Sequence, residues 1–126
     1  MHTLHFHAGT GDHRVDLQAT FSGADATVVI AGGDSPHIGA VALATPRKSL
    51  TGDGSNSASA SVLCLTGHME DELARSIALK LSRSWACHVT VVAGLHIDDA
   101  SGEDIRILSS HTEELVEVLL EAVASP

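Results

Sequence analysis

Three histidines of this chain lie in glycine-containing segments where one apolar element of the sequence ends and the next begins. His37 lies in Gly32-Gly33-Asp34-Ser35-Pro36-His37-Ile38-Gly39, His68 follows Gly67, and His96 closes Gly94-Leu95-His96. A glycine turn can expose backbone N–H groups to an anion, and an imidazole beside it can donate a hydrogen bond or ligate a metal. The three segments therefore predict one assembled site for an anionic or metal-bearing ligand.

Carboxylates accompany two of these histidines. His96 and Asp98 form an H-x-D pair at the end of an apolar run, and alternate residues of a strand share one face, so both could serve one metal or ligand. Glu70 follows His68 at the start of a predicted helix and would help to hold a cation.

Simpler interpretations of the same residues stay open. His37 could hydrogen-bond a turn carbonyl, the acidic turn after His68 is common at helix starts, and His96 could lie at a solvated strand end. The glycines could serve only tight packing. His5 and His7 share a strand face and are interpreted as exposed residues without a metal role.

The elements that must position these residues follow from the apolar periodicity. Period-two alternation or continuous apolar runs predict strands at residues 4–7, 15–21, 26–31, 38–44, 58–65 and 89–95. The run at 26–31 is more continuously apolar than the strands before it, which predicts a strand buried on both faces or central in the sheet. Residues 45–57 are rich in Ser, Gly and Asn and predict a long polar loop.

Two helices are predicted between and after the last strands. Leu73, Ile77, Leu81 and Trp85 repeat at i, i+4 spacing. Ser101, three residues before Asp104, predicts the N-cap of a second helix that could be interrupted near Ser109-Ser110. The order predicts an α+β fold in one domain over residues 1–126, with a mostly antiparallel six-stranded sheet, two helices on one face and a homodimer through the other.

Composition excludes several classes of function. The 126 residues carry a net charge of −9, and only 2% are aromatic, which argues against nucleic acid and anionic membranes as partners. No apolar run approaches the ~20 residues that span a bilayer, and a polar N-terminus without an apolar leader favours the cytoplasm. Cys64 and Cys87 lie in apolar runs and are predicted to be buried. No familiar catalytic motif is found, so we expect a non-catalytic protein.

Together, three segments resemble the LpdD-like prenylated flavin chaperones. They are G-G-D-S-P-H-I-G-A-V at 32–41, G-H-M-E-D at 67–71 leading into a helix, and V-V-A-G-L-H-I-D at 91–98. The resemblance runs through most of residues 26–123. It implies a homodimer with a fold similar to the proteasome-assembly chaperones, which binds prenylated FMN or FMN and assists a UbiD-class decarboxylase.

The resemblance also implies roles for individual residues. The metal ligands, for a divalent or monovalent ion, would come from His37, His68, His96, Glu70 and Asp98. The turn glycines and the basic pair after the fourth strand would contact the flavin phosphate, and Met69 or a partner subunit would cover the ring. The residues expected to bind the cofactor are Gly32, Gly33, Asp34, Pro36, His37, Gly39, Arg47, Lys48, Gly67, Met69 and Gly94.

Two alternative functions differ in what the fold must do. A small metal-dependent enzyme would use the three histidines with Glu70 or Asp98 as acid or base. A protein-assembly factor without a small ligand would leave the histidines far apart. The separation of the histidines in space therefore discriminates among these hypotheses.

Overall fold

The computed structural model describes residues 1–65 and 70–126 and has six strands and two helices within them. The strands are β1 (His2–Ala8), β2 (Val15–Ser22), β3 (Asp25–Gly33), β4 (Ala40–Lys48), β5 (Asn56–Cys64) and β6 (Val89–His96). The helices are α1 (Glu70–Trp85) and α2 (Gly102–Ala122), and a short 3-10 helix occupies Gly11–His13.

The strands form one mixed, mostly antiparallel sheet in the order β1-β2-β3-β6-β4-β5. β6 lies between β3 and β4, parallel to the first and antiparallel to the second. Because β3 and β4 follow one another in the chain but are not neighbours in the sheet, their connection at residues 34–39 must pass the end of β6. This crossing positions the site described below.

Both helices pack on the same face of the sheet, which confirms the predicted α+β class. α1 lies over β4, β5 and β6, and α2 lies over β1, β2 and β3. Ile77, Leu81 and Trp85 of the predicted α1 stripe are buried, and Leu73 is half-buried. The core between the layers is built from aliphatic residues, with Phe21 packed edge-on against Trp85 at 5.5 Å between ring centroids.

α2 is continuous, so the interruption predicted near Ser109-Ser110 is wrong. The helix begins with a complete capping box, in which the Asp104 amide donates to the Ser101 hydroxyl and the Ser101 amide to the Asp104 carboxylate. Leu108 and Leu115 anchor opposite sides of the serine pair in the core. A capped helix with a buried stripe tolerates two exposed serines, whose propensity penalty is small.

The predicted polar loop at 45–57 is also wrong at both ends. β4 continues to Lys48 and pairs with β5 from Asn56, which leaves a connection at residues 49–55. Pro46 is tolerated because β6 pairs with β4 only as far as Ala44, so the proline interrupts no hydrogen bond on that side. The serine-rich sequence of β5 reflects an edge strand with an exposed face.

β3 is interior in the sheet but is not buried on both faces. Ala26, Val28 and Ile30 face the core, whereas Thr27 and Val29 are exposed. The outer face carries a row of apolar side chains in register, from Val29 through Val92 and Val41 to Leu63. An uncovered apolar row is unusual on a monomer surface.

The prediction that both cysteines are buried is correct for Cys87 and wrong for Cys64. Cys87 is buried, and burial raises the pKa of its thiol. Cys64 ends the edge strand β5 and is exposed. Among residues 1–65 and 70–126, the structure has no helix long and apolar enough to cross a membrane.

Candidate ligand-binding site

The connection at residues 34–39 folds over the carboxyl end of β6. Gly33 at the end of β3 is opposite His96 at the end of β6. The amides of Asp34 and Ser35 donate to the His96 carbonyl at 2.8 and 3.3 Å, and the Gly39 amide donates to the Ala93 carbonyl at 2.9 Å. The connection is therefore held to β6 at both of its ends.

Two glycines are required by this close crossing. A Cβ on Gly94 would lie 1.5 Å from the His37 carbonyl oxygen, and one on Gly33 would lie 1.9 Å from the His96 carbonyl oxygen. Gly33 also has a φ of 86°, which favours glycine. The glycines beside the histidines thus let two backbones approach each other.

The same hydrogen bonds correct one sequence-based expectation. The Gly33 amide donates to the Arg14 carbonyl, and the amides of Asp34, Ser35 and Gly39 donate to backbone carbonyls of β6. They are consumed inside the fold, so these four N–H groups do not form the anion-binding turn that the glycines predicted. Recognition at this end of the sheet depends more on side chains.

His37 lies at the middle of the site. Its Nδ1 is 3.2 Å from the Ser35 carbonyl, and its Nε2 is 3.4 Å from Oε1 of the buried Glu70 at the start of α1. Gly39 leaves the room for Glu70, because a Cβ there would be 2.8 Å from the Glu70 Cδ. Both ring nitrogens therefore face oxygen atoms, Nδ1 a backbone carbonyl and Nε2 a carboxylate.

His96 lies edge-on to His37, with the ring centroids 5.9 Å apart and the ring planes at 88°. Its Nε2 is 2.8 Å from Oδ1 of Asp98, which lies two residues beyond the end of β6. Asp34 joins this pair, because its carboxylate accepts the Asp98 amide at 3.0 Å. The ligand atoms of Asp34, His96 and Asp98 all lie within 4.8 Å of one another.

Two oxygen ligands and one imidazole nitrogen at such spacing suit a divalent cation. Asp34 was expected to contact cofactor, not metal, and its place in this trio was missed. The available signal was its position directly after the glycines that end β3, at the same edge as His96. His37 and Glu70 form a neighbouring pair of possible metal ligands. The His37 ring contacts the His96 ring and so connects this pair to the trio.

The structure brings most of the predicted site residues together at one end of the sheet. Arg47 and Lys48 are the exception: they lie at the far end of β4, about 23 Å from Ala40 at ~3.3 Å per residue. They therefore do not join His37 within one subunit. Gly67, His68 and Met69 lie outside the described residues. The residues that meet are Gly32, Gly33, Asp34, Pro36, His37, Gly39, Glu70, Gly94, His96 and Asp98.

A second histidine cluster was not anticipated. His13 Nε2 is 2.8 Å from the Asp104 carboxylate, and His111 Nδ1 is 2.9 Å from the His13 carbonyl. Gly9, with a φ of 79°, passes close to His111. These contacts tie the short 3-10 helix to α2 across 91 and 98 residues of sequence, a separation that no local pattern reveals.

The fold is similar to a subunit in the crystal structure of a chaperone complex for yeast 20S proteasome assembly, with a TM-score of 0.55 at 14% identity, covering 98% of this chain and 96% of that one. Identity this low defines the fold alone. Among functionally curated proteins, no sequence matches the chain significantly.

The family is defined by sequence. The family model for the prenylated flavin chaperone LpdD-like domain matches residues 9–124. The chain therefore belongs to the LpdD-like prenylated flavin chaperones, as the three segments around His37, His68 and His96 suggested.

Proposed function

We propose that this protein binds prenylated FMN, or FMN itself, at the carboxyl ends of β3 and β6, and holds it in the cytoplasm for a UbiD-class decarboxylase without transforming it. The observation that carries the proposal is the crossing of residues 34–39 over β6, which brings His37 and His96 to 5.9 Å between ring centroids. The ends of parallel strands beside a crossing connection are frequent ligand sites. Membership of the flavin chaperone family supplies the ligand class.

The charges of the site favour a cation between protein and phosphate. Asp34, Glu70 and Asp98 surround the two imidazoles, so a bare phosphate would meet carboxylates. A metal ion held by Asp34, His96 and Asp98 would reverse the local charge and leave coordination positions for phosphate oxygens. His37, whose Nε2 is 3.4 Å from Oε1 of Glu70, would exchange that contact for a hydrogen bond to the same group.

The flavin ring would lie against aliphatic side chains. Phe21 and Trp85 pack against each other in the core, so they cannot stack on a ligand at this end. Ile38 and Leu65 remain 58% and 57% exposed, next to His37 and hydrogen-bonded to Gly39 respectively. Exposed aliphatic groups beside a polar cluster suit a ligand with a flat apolar ring and a charged tail.

A homodimer would cover the outer face of the sheet and extend this apolar wall. Val29, Leu43 and Leu63 are 38%, 49% and 77% exposed on that face. Leu63 lies two residues before Leu65 on the same side of the chain, because strand residues alternate. A second copy on this face would therefore lie beside the proposed ring position.

The direct test is titration of the purified protein with FMN and, anaerobically, with reduced prenylated FMN, followed by absorbance and native mass spectrometry. We expect one flavin per chain at micromolar concentrations. His37→Gln and His96→Gln should each weaken binding by about tenfold, the effect of losing one charge-assisted contact of ~1.4 kcal/mol.

His7→Gln is the matched control, since His7 is exposed on β1 away from the site. It should bind flavin like the parent protein. Folded protein that binds neither flavin would refute the proposal. If the flavin-loaded protein fails to activate a flavin-free UbiD-class decarboxylase, only the proposed transfer of the cofactor to that enzyme is refuted.

The trio of Asp34, His96 and Asp98 also favours a second candidate, a small metal-dependent enzyme. Elemental analysis separates the two. A stoichiometric metal together with no flavin affinity would favour the enzyme, whereas flavin binding that depends on the same trio favours the chaperone.

A further inference from the structure

A groove runs between the two helices, on the face opposite the apolar outer sheet. It encloses about 460 Å³ and is open to solvent along one side. Its floor is apolar: Ile77 and Val116 are buried and Leu73 is half-buried. Thr112 also contributes to the floor. Its hydroxyl donates a hydrogen bond to the Leu108 carbonyl at 2.8 Å.

The helices run in the same direction and are joined near their carboxyl ends. Lys80 of α1 forms an ion pair with Glu117 of α2, and the Trp85 indole donates to the Val123 carbonyl at 2.8 Å. From the Lys80–Glu117 pair the groove extends back toward Leu73 and Ser110. It therefore runs toward the end of the sheet where α1 begins with Glu70.

The rim of the groove is acidic on the α2 side. Glu113 and Glu114 line it and are exposed, and within the described part of the chain neither makes an ion pair. Lys80, the basic side chain in the lining, is already paired with Glu117. An apolar floor beside unneutralised carboxylates is complementary to a segment that is apolar on one side and cationic on the other.

We propose that this groove docks a basic amphipathic helix of a partner protein. Such a helix would place apolar residues at i, i+3 and i+4 on Ile77 and Val116 and direct Lys or Arg toward Glu113 and Glu114. A helix laid along the trough covers its whole length, which a small molecule in so open a groove would not. The inference does not depend on flavin binding.

The test is an NMR titration of the ¹⁵N-labelled protein with a synthetic amphipathic Lys/Leu helix of about 18 residues, or five turns. A Glu/Leu peptide of the same pattern and a scrambled Lys/Leu peptide serve as comparisons. We expect the amphipathic Lys/Leu peptide to shift the amides of Leu73, Ile77 and Val116, and to bind about tenfold more tightly than either comparison peptide at low salt.

Charge reversal separates groove binding from attraction to an acidic protein. The double variant Glu113→Lys/Glu114→Lys should weaken binding of the amphipathic Lys/Leu peptide by about tenfold or more. Asp12→Lys, the same charge change for one residue on the exposed 3-10 helix, should leave affinity within about twofold. Equal binding of all three peptides, shifts confined to the outer sheet residues Leu43 and Leu63, or no shift at the groove would each overturn the proposal.

Discussion

Two histidine clusters in this protein are built alike but differ in what their histidines meet. In each, a histidine contacts a carboxylate and a glycine passes beside an imidazole or its backbone. His13 and His111 connect the short 3-10 helix to α2, and their acceptors are Asp104 and the His13 carbonyl. His37 and His96 instead meet each other edge-on at the ends of two sheet strands.

The difference lies in what the carboxylates also do. Asp104 is committed to the N-cap of α2, where it accepts the Ser101 amide, so its second function is structural. Asp34 and Asp98 are exposed and converge with His96 within 4.8 Å. A glycine beside a histidine therefore does not by itself indicate a site. The exposed carboxylates that converge with His96 are what distinguish this cluster from the other.

The largest expected effect comes from adding a methyl group at one glycine of each cluster, Gly94 and Gly9. Gly94→Ala would place a Cβ 1.5 Å from the backbone oxygen of His37, and moving that crossing should cost about 3 kcal/mol or more of unfolding free energy. At Gly9 an added Cβ would lie 2.5 Å from the His111 ring and 2.6 Å from the backbone oxygen of His13, and the positive φ adds strain, so Gly9→Ala should cost about 2–3 kcal/mol.

Urea denaturation measures both changes, with Gly102→Ala as the control. Gly102 opens α2 and an added Cβ meets nothing within 4 Å, so this variant should be as stable as the parent or gain up to about 1 kcal/mol. If Gly94→Ala were tolerated as well as Gly102→Ala, the close crossing over β6 would be wrong.

Replacing the histidines of each cluster by glutamine should separate an effect on ligand binding from an effect on stability. The double variant His37→Gln/His96→Gln should weaken flavin binding by about a hundredfold, two contacts of ~1.4 kcal/mol each, while leaving the denaturation midpoint nearly unchanged. The double variant His13→Gln/His111→Gln should lower the midpoint and leave flavin affinity unchanged. Titration and denaturation of both proteins check the two halves, and a loss of affinity in the second variant would erase the distinction.

Much of this architecture was predictable because the elements have strong periodicity. The stripe from Leu73 to Trp85 predicted α1, and the Ser101–Asp104 spacing predicted the N-cap of α2. The position of β6 between β3 and β4 was not predictable from any single element. It depends on which strands pair across more than forty residues, and local propensity does not encode that choice.

The site shows the same division. His37 and His96 lie beside the glycines that the sequence singles out, and His96 Nε2 is 2.8 Å from Oδ1 of Asp98, two residues on. Their role in binding stays a prediction. Arg47 and Lys48 were placed at the site because they follow it in sequence, but β4 is straight and nine residues long and carries them to the far end. Asp34 was undervalued because its partner Asp98 is 64 residues away.

The trio of Asp34, His96 and Asp98 allows a third test of the difference between the two histidine clusters. Asp34→Asn or Asp98→Asn removes one charged oxygen ligand and should weaken Mn²⁺ binding by about tenfold, whereas Asp104→Asn in the other cluster should not change it. Paramagnetic broadening of the His37 and His96 ring signals by Mn²⁺ reports the effect. Broadening centred on His13 would show that the structural cluster is the metal site.

The smallest expected effect is a pH dependence of stability that belongs to the structural cluster. Hydrogen bonds from His13 first and Ser101 second hold the pKa of Asp104 below its ordinary value of 3.8. A carboxyl whose pKa is depressed by folding stabilises the fold fully above the unfolded pKa, and this contribution is lost as pH falls through the folded value. The stability gap between the parent and Asp104→Asn should therefore be constant near neutrality and close below about pH 4.

Urea denaturation from pH 7 down to pH 3 follows that gap, with Asp12→Asn as the control. Asp12 is an exposed carboxylate on the same 3-10 helix as His13, so its removal should give a curve parallel to the parent throughout. A gap for Asp104→Asn that stays constant to pH 3 would mean that the helix cap stabilises α2 independently of the carboxylate charge. The pairing with His13 would then be a consequence of the fold and not one of its supports.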